Sequence, residues 1–309
     1  MNDTRLPLDL SVIVVSWNTR QLLADCLRSV YDSANDLALE ILVVDNASRD
    51  GSAEMVRDMF PSVHLVQNGA NVGFARANNQ ALMLAAGRHV MLLNSDTVVL
   101  SGALQTLVEF MDAHADAGAC GPRLLNADGT LQPSCHPDLT AWREFWRLTF
   151  LDRLWHRASY SMERWPVDTP CRVEVIKGAC LVLRRSALDA VGLLDERYFV
   201  YTEEMDLCHR LAHAGWALYW VPEAQIIHYG GSSTSQVADE MYLQLYRSKA
   251  QYQRKFWGER GARRYELAIR LAYAPRWLIA QLPGLGSATW RRRARLYGRV
   301  LSEHYGELE

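Results

Sequence analysis

At 309 residues, with 49% apolar and 22% charged side chains, the chain is long enough to bury a substantial core and has the balance of a globular rather than a disordered protein. Its six cysteines (Cys26, Cys120, Cys135, Cys171, Cys180, Cys208) are scattered without a CxxC pair, which argues against a zinc site or a disulfide framework and fits a reducing compartment. The net charge of −2 hides an asymmetry: residues 241–309 carry 14 Lys and Arg against 5 Asp and Glu, while the first 240 carry 19 against 30. A basic tail behind an acidic body suits an anionic partner such as a membrane leaflet or a lipid diphosphate, with nucleic acid not expected. No stretch approaches the roughly 18 uninterrupted apolar residues of a membrane span. The polar start Met1-Asn2-Asp3-Thr4-Arg5 lacks a signal-type core, so a cytoplasmic location is the expectation.

Residues 10–15 are apolar and β-branched, too few for a helix, and read as a buried strand ended by Ser16-Trp17-Asn18-Thr19. Residues 20–30 have helical spacing, with Leu22, Leu23, Cys26, Leu27 and Val30 on one side. The pattern repeats as strand 40–44, helix 52–59, strand 63–66, helix 74–86 and strand 89–93. Strict alternation of this kind implies right-handed βαβ crossovers and a mostly parallel sheet flanked by helices. In such a sheet the loops at the carboxyl ends of the strands gather over one cleft. Those starting at Ser16, Asp45, Gln67 and Asn94 are all polar, as a shared nucleotide site requires.

Farther along, a helix is expected over 103–114 and a strand over 118–121. Asn126-Ala127-Asp128-Gly129 then marks a hairpin between 123–125 and 130–132. The aromatic-rich segment 133–170 reads as an irregular insertion or lid. Strand 173–183, helix 204–214 and strands 218–221 and 225–227 follow. From 241 onward the sequence reads as basic amphipathic helices broken at Pro275 and Pro283-Gly284. Trp290 beside Arg291-Arg292-Arg293 gives the tail the composition of a membrane-surface helix, although a solvated helical cap or an oligomer contact would use the same residues.

Three groups can carry chemistry. Asn94-Ser95-Asp96 sets oxygen-bearing side chains at a strand end, and Asp96 is a hard ligand suited to Mg²⁺ or Mn²⁺. Tyr201-Thr202-Glu203-Glu204-Met205-Asp206 places three carboxylates within four positions. They would favour the positive end of a helix capped by Thr202, or one of them could act as a general base. His228, followed by Tyr229-Gly230-Gly231-Ser232, could join a metal or a phosphate.

Taken together, the runs Val12-Ile13-Val14-Val15-Ser16-Trp17-Asn18, Val43-Val44-Asp45-Asn46-Ala47-Ser48, Asn71-Val72-Gly73-Phe74-Ala75-Arg76-Ala77-Asn78-Asn79 and Leu92-Leu93-Asn94-Ser95-Asp96 resemble family-2 glycosyltransferases of the GT-A fold. Gly178-Ala179-Cys180, Val191-Gly192-Leu193-Leu194-Asp195-Glu196, Phe199-Val200-Tyr201-Thr202-Glu203-Glu204-Met205-Asp206 and His228-Tyr229-Gly230 match in the same order, and the pattern is most similar to the rhamnosyltransferase branch. The resemblance spans roughly residues 10–235.

It implies a catalytic domain over 1–240, with a nucleotide-binding half (about 8–122) and an acceptor half (about 123–240), followed by a helical extension over 241–309. It also implies an inverting, single-displacement transfer from a dTDP- or UDP-linked sugar. Asp45 would bond the pyrimidine, with Ser16 and Asn18 beside it. Asn71, Arg76, Asn94 and Ser95 would line the donor, and Asp96 and His228 would hold a Mg²⁺ or Mn²⁺ ion. Glu204 would be the base, with Glu203 and Asp206 as alternatives. Glu204 departs from the Asp usual at that position, and Asn94 from an acidic first position.

No Gln-x-x-Arg-Trp motif follows, so addition of a single sugar is expected rather than processive synthesis. Rhamnose is the preferred donor sugar, ahead of galactofuranose, glucose or an N-acetylated sugar. The acceptor would be a glycan or lipid-linked glycan of the cell surface, which would suit a peripheral position on the inner face of the membrane. The competing expectation is a non-catalytic glycan- or membrane-binding protein on the same fold. A nucleotidyltransferase would need a glycine-rich loop after the first strand, and a Rossmann dehydrogenase a GxGxxG; Ser16-Trp17-Asn18-Thr19 is neither.

Overall fold

The computed structural model describes residues 8–152, 158–230, 238–282, 288–303 and 305. The run LSVIVVS forms β1 (Leu10–Ser16), and α1 (Arg20–Asp32) buries Leu23, Cys26, Leu27 and Val30 against the sheet. β2 (Leu39–Asp45), α2 (Ser52–Met59), β3 (His64–Gln67), α3 (Phe74–Leu82) and β4 (His89–Asn94) complete the expected alternation. α3 ends at Leu82 rather than residue 86, because Met83 and Leu84 face solvent and offer no buried stripe to extend it.

β5 (Thr97–Val99), α4 (Ala103–Ala113), β6 (Ala117–Leu125) and β7 (Leu131–Gln132) follow, with the β6–β7 hairpin closing at the expected turn through Asn126 N donating to Thr130 O at 2.8 Å. Segment 133–170 is more ordered than expected. It holds β8 (Cys135–His136) and α5 (Ala141–Leu148), which is capped by Thr140 Oγ1 accepting from Arg143 N at 3.1 Å. The single strand expected over 173–183 is three: β9 (Cys171–Arg172), β10 (Val175–Ile176) and β11 (Cys180–Arg184), each with a different partner.

Next come α6 (Arg185–Val191), α7 (Glu203–His213) and β12 (Ala217–His228), the last joining two expected strands across a register shift between Val221 and Gln225. α8 (Ala238–Ala280) and α9 (Ala288–Ser302) end the chain. The expected break at Pro275 does not occur. The non-helical residue within α8 is Gly258, at φ 62 and ψ −167, a conformation glycine adopts without a Cβ penalty. The break expected at 283–284 lies outside the described residues.

The chain divides into two compact units. The first comprises residues 1–136, 162–199 and 203–236; the second comprises 137–161, 200–202 and 237–309. The sheet of the first unit runs β3-β2-β1-β4-β11-β6-β12-β5. β3, β2, β1 and β4 are parallel, and their interior residues are apolar, as strands covered on both faces by helices must be.

Two antiparallel insertions then shape the far half of the sheet. β11 runs against β4, with Cys180 opposite Leu93, so the residues that precede β11 emerge beside the carboxyl end of β4. β5 runs against β12, with Thr97 opposite His228, and this brings the end of β12 next to Asp96. The second unit packs α5 and α9 on α8. At its centre the buried Glu144 accepts from Lys249 Nζ at 2.9 Å and from Arg147 Nη2 at 2.8 Å.

Candidate active site

At the carboxyl ends of β1–β3 a cleft of about 730 Å³ is lined by Trp17, Asn18, Asp45, Ser48, Asn68 and Asn71, among others. Its walls are tied by side-chain to backbone bonds. Asn18, at φ 53, donates from its N to Ser48 Oγ at 2.9 Å, and its Oδ1 accepts from Arg49 N at 2.8 Å. Behind them the buried Asn46 donates to Asn71 Oδ1 at 2.7 Å and Gly73 O at 3.2 Å, and accepts from Asn68 Nδ2 at 3.1 Å and Val72 N at 3.0 Å. One asparagine thus fixes the shape of the 68–73 loop. Asp45 is buried; its Oδ2 accepts from Ser48 N at 3.2 Å, whereas Oδ1 has no partner among the described residues. A buried orphan acceptor at a cleft wall is a strong demand for a ligand N–H.

A hydroxyl chain links this cleft to the end of β4: Ser16 Oγ lies 3.0 Å from Thr19 Oγ1, which lies 2.9 Å from Ser95 Oγ. Beside Ser95, His228 Nε2 approaches Asp96 Oδ1 at 3.4 Å and Asn94 Nδ2 at 3.3 Å. On its other nitrogen, His228 Nδ1 lies 2.6 Å from Gln132 Oε1. Gln132 Nε2 donates to His228 O and Asn126 Oδ1 at 3.0 and 2.9 Å, which assigns Oε1 as the acceptor end and His228 Nδ1 as the donor. In the neutral imidazole this leaves the lone pair on Nε2, facing Asp96, as a metal-binding histidine requires.

Among the described residues no group of three or more His, Cys, Asp or Glu gathers. A carboxylate and an imidazole nonetheless fit a divalent cation whose remaining ligands come from substrate phosphates and water.

The carboxylate trio of α7 separates by environment. Asp206 is fully buried and accepts from Arg210 Nε at 2.7 Å, and Arg210 in turn binds the carbonyls of Val191, Gly192 and Leu193. That carboxylate is committed to holding the 191–193 turn. Glu203 is buried, and burial, reinforced by the neighbouring Glu204 charge, pushes its carboxyl well above the usual range. Glu204 alone of the three is only half-buried; its side chain lies over Gly178, where an added Cβ would come 3.4 Å from Glu204 Cβ.

Thr202 does not cap α7. It sits at φ 75, after Tyr201 at φ 69, and its Oγ1 has no partner among the described residues. Two successive non-glycine residues with left-handed backbone immediately before Glu203 and Glu204 form a strained turn of the kind that accumulates at functional sites.

Arg76 is exposed, with Glu196 at 3.8 Å, and Glu196 also accepts from Asn79 Nδ2 at 3.0 Å. The sequence reading missed Gln132 and Lys177. Lys177 precedes β11 and donates from Nζ to Gln132 Oε1 at 3.3 Å; burial lowers its pKa, against the Glu204 and Asp96 charges, which raise it. Neither residue stands in a recognisable pattern; only the β4–β11 and β6–β7 pairings bring them here.

The geometry defines a class: an α/β protein of GT-A type with a nucleotide-sized cleft beside a paired Asp and His. The family model described as glycosyl transferase family 2 matches residues 11–191. An N-acetylglucosaminyl-diphospho-decaprenol L-rhamnosyltransferase of Mycobacterium tuberculosis is 32% identical over 243 residues, covering 74% of this chain and 78% of that protein. The chain belongs to glycosyl transferase family 2 and is rhamnosyltransferase-like in sequence.

A low-salt glycan biosynthesis hexosyltransferase of Haloferax volcanii is 25% identical, covering 65% of this chain and 61% of that protein. The fold is shared with a mannosyltransferase from Pyrobaculum calidifontis in complex with GDP-Man and Mn²⁺, at a TM-score of 0.56 and 19% identity, covering 96% of this chain and 86% of that one. It is also shared with GalNAc-T7 with UDP, GalNAc and Mn²⁺, at 0.60 and 17%, covering 96% of this chain and 55% of that one.

Proposed function

We propose that the protein transfers a single sugar, with inversion, from a dTDP- or UDP-linked donor to a hydroxyl of a lipid-linked glycan in cell-surface polysaccharide synthesis. Rhamnose from dTDP-rhamnose is the preferred donor. The observation that carries this reading is the continuous run of contacts from Asp45 through Ser16, Thr19 and Ser95 to Asp96 and His228, which ties the cleft to the paired Asp and His.

Asp45 Oδ1 accepts the imide N–H of the pyrimidine. Trp17, Asn18 and Asn71 close the pocket around base and ribose. Asp96 and His228 would hold a Mg²⁺ or Mn²⁺ ion, which when bound neutralises charge on the leaving diphosphate. Glu204, the least buried residue of its trio, takes the proton of the acceptor hydroxyl as the oxygen attacks the anomeric carbon and the bond to the diphosphate breaks. Glu203, fully enclosed, and Asp206, bound to Arg210, are poorly placed for that role.

The relative's printed substrate, a sugar on a diphospho-polyprenol, supports a lipid-linked acceptor. The second unit supports membrane proximity. Leu267, Leu271 and Leu278, spaced along one face of α8, each expose more than half of their surface, and Arg263, Arg264 and Arg270 are exposed beside them. Among the described residues no helix is long and apolar enough to cross a membrane.

The test is release of nucleoside diphosphate from a panel of nucleotide sugars, with Mn²⁺ or Mg²⁺ and a synthetic N-acetylglucosaminyl-diphospho-lipid. Acceptor-dependent release from dTDP-rhamnose is expected. Binding of the same compounds without release from any donor would favour a non-catalytic protein.

A further inference from the structure

Lys177 is the feature of the site that the reading above leaves unused. It is half-buried at the mouth of β11, and the one hydrogen bond of its ammonium among the described residues is to Gln132 Oε1 at 3.3 Å. An ammonium has three N–H donors, and this bond uses one of them. Its neighbourhood is the site itself: the adjoining Gly178 lies under Glu204, and Gln132 also holds the imidazole that faces Asp96. Keeping a cation half-buried costs desolvation free energy, and burial is the largest influence on this amine. Its hydrogen-bond acceptor is one amide oxygen, with the Glu204 and Asp96 charges as further electrostatic support.

We propose that Lys177 is a protein-borne anchor for the diphosphate of the donor, and that Gln132 positions it together with His228. The proposal rests on the donor reading above. Gln132 Oε1 receives both Lys177 Nζ and His228 Nδ1, and its Nε2 is fixed by His228 O and Asn126 Oδ1. One amide in the β6–β7 hairpin therefore sets the imidazole tautomer and the place of the ammonium at once. A lysine in this position gives the leaving group a charge-assisted hydrogen bond that persists when no metal is bound.

The experiment compares binding of UDP and dTDP with binding of uridine and thymidine by calorimetry, in EDTA and in Mn²⁺, for the wild type and for Lys177→Met, Lys177→Arg and Gln132→Leu. In EDTA, Lys177→Met should weaken both diphosphates about tenfold or more and leave the nucleosides unchanged, with Lys177→Arg recovering part of the loss. Gln132→Leu should show the same diphosphate loss. In addition, Mn²⁺ affinity in the presence of UDP, followed by the free-ion spin resonance signal, should fall about 10–100-fold, the usual cost of removing an outer partner of a metal-binding histidine.

Unchanged diphosphate binding in Lys177→Met overturns the proposal while leaving the transferase reading intact. So does an equal loss for nucleosides and diphosphates, which assigns Lys177 to the packing of the site. A wild type that binds neither diphosphate overturns the donor reading itself, and this proposal with it.

Discussion

Replacing Asp45 by Asn changes one atom in the wall of the nucleotide cleft and should separate binding from folding. The buried Oδ2 accepts from Ser48 N at 3.2 Å, and this bond obliges the amide of the variant to keep its oxygen there. The new NH₂ group then occupies the place of Oδ1, the acceptor without a partner among the described residues. A pyrimidine imide N–H that met a carboxylate would now meet a donor. A hydrogen bond to a charged group is worth about 1.5–3 kcal/mol, which is roughly 10–150-fold in Kd. Calorimetry with UDP and dTDP should show a loss in that range. The melting temperature of the free variant should not fall, because no internal bond is removed and an orphan buried carboxylate oxygen disappears. As a cross-check, 3-methyluridine diphosphate, which lacks the imide proton, should bind the wild type as weakly as UDP binds the variant. Unchanged affinity of Asp45→Asn for both diphosphates refutes the assignment of this cleft to the base.

Gly73 tests the loop that closes the same cleft: it sits at φ 87, and an added Cβ would lie 2.5 Å from Phe199 O. Gly73→Ala should therefore cost at least about 1–3 kcal/mol of stability in urea unfolding. In the second unit, burial alone would raise the carboxyl of Glu144, but Lys249 and Arg147 outweigh it and bring it down to about 2. A folded-state pKa below the unfolded one adds stability that is fully present above about pH 4.5 and is lost as the pH falls towards 2, so acid melting should steepen in that window. Glu144→Gln should flatten that steepening and destabilise the protein at neutral pH by about 3–5 kcal/mol, since it takes the carboxylate away from the buried Lys249 ammonium. Leu271→Glu with Leu278→Glu should weaken sedimentation with phosphatidylglycerol-containing vesicles at least tenfold without altering the melting temperature, because both side chains face outward.

The parallel half of the sheet was legible because parallel strands covered on both faces are continuous apolar runs: 10–15, 40–44 and 89–93 stand out from the polar loops that follow them. The 126–129 turn was legible for a similar local reason. What the sequence concealed lies in non-local pairing. Segment 171–184 looks like one strand, and only its three different partners divide it. Lys177 and Gln132 reach the site through antiparallel pairings that bring together residues 45 apart in the chain. Pro275 suggested a break that the helix tolerates, whereas Gly258 carries the kink because it alone can take the required backbone angles at no steric cost. Within the candidate site, the close grouping of Glu203, Glu204 and Asp206 was visible, but their different surroundings were not. Burial and Arg210 distinguish them, and neither can be read from spacing.

The central claim is that the run of contacts from Asp45 to Asp96 and the carboxylate of Glu204 serve one reaction. The most direct measurement is turnover, as nucleoside diphosphate release, set beside donor affinity for Asp96→Ala and Glu204→Gln. Turnover should be abolished by Asp96→Ala. Glu204→Gln should lower kcat by about 10²–10⁴-fold, the scale of general-base catalysis, with donor Kd within twofold of the wild type. Wild-type turnover in both variants would contradict the account.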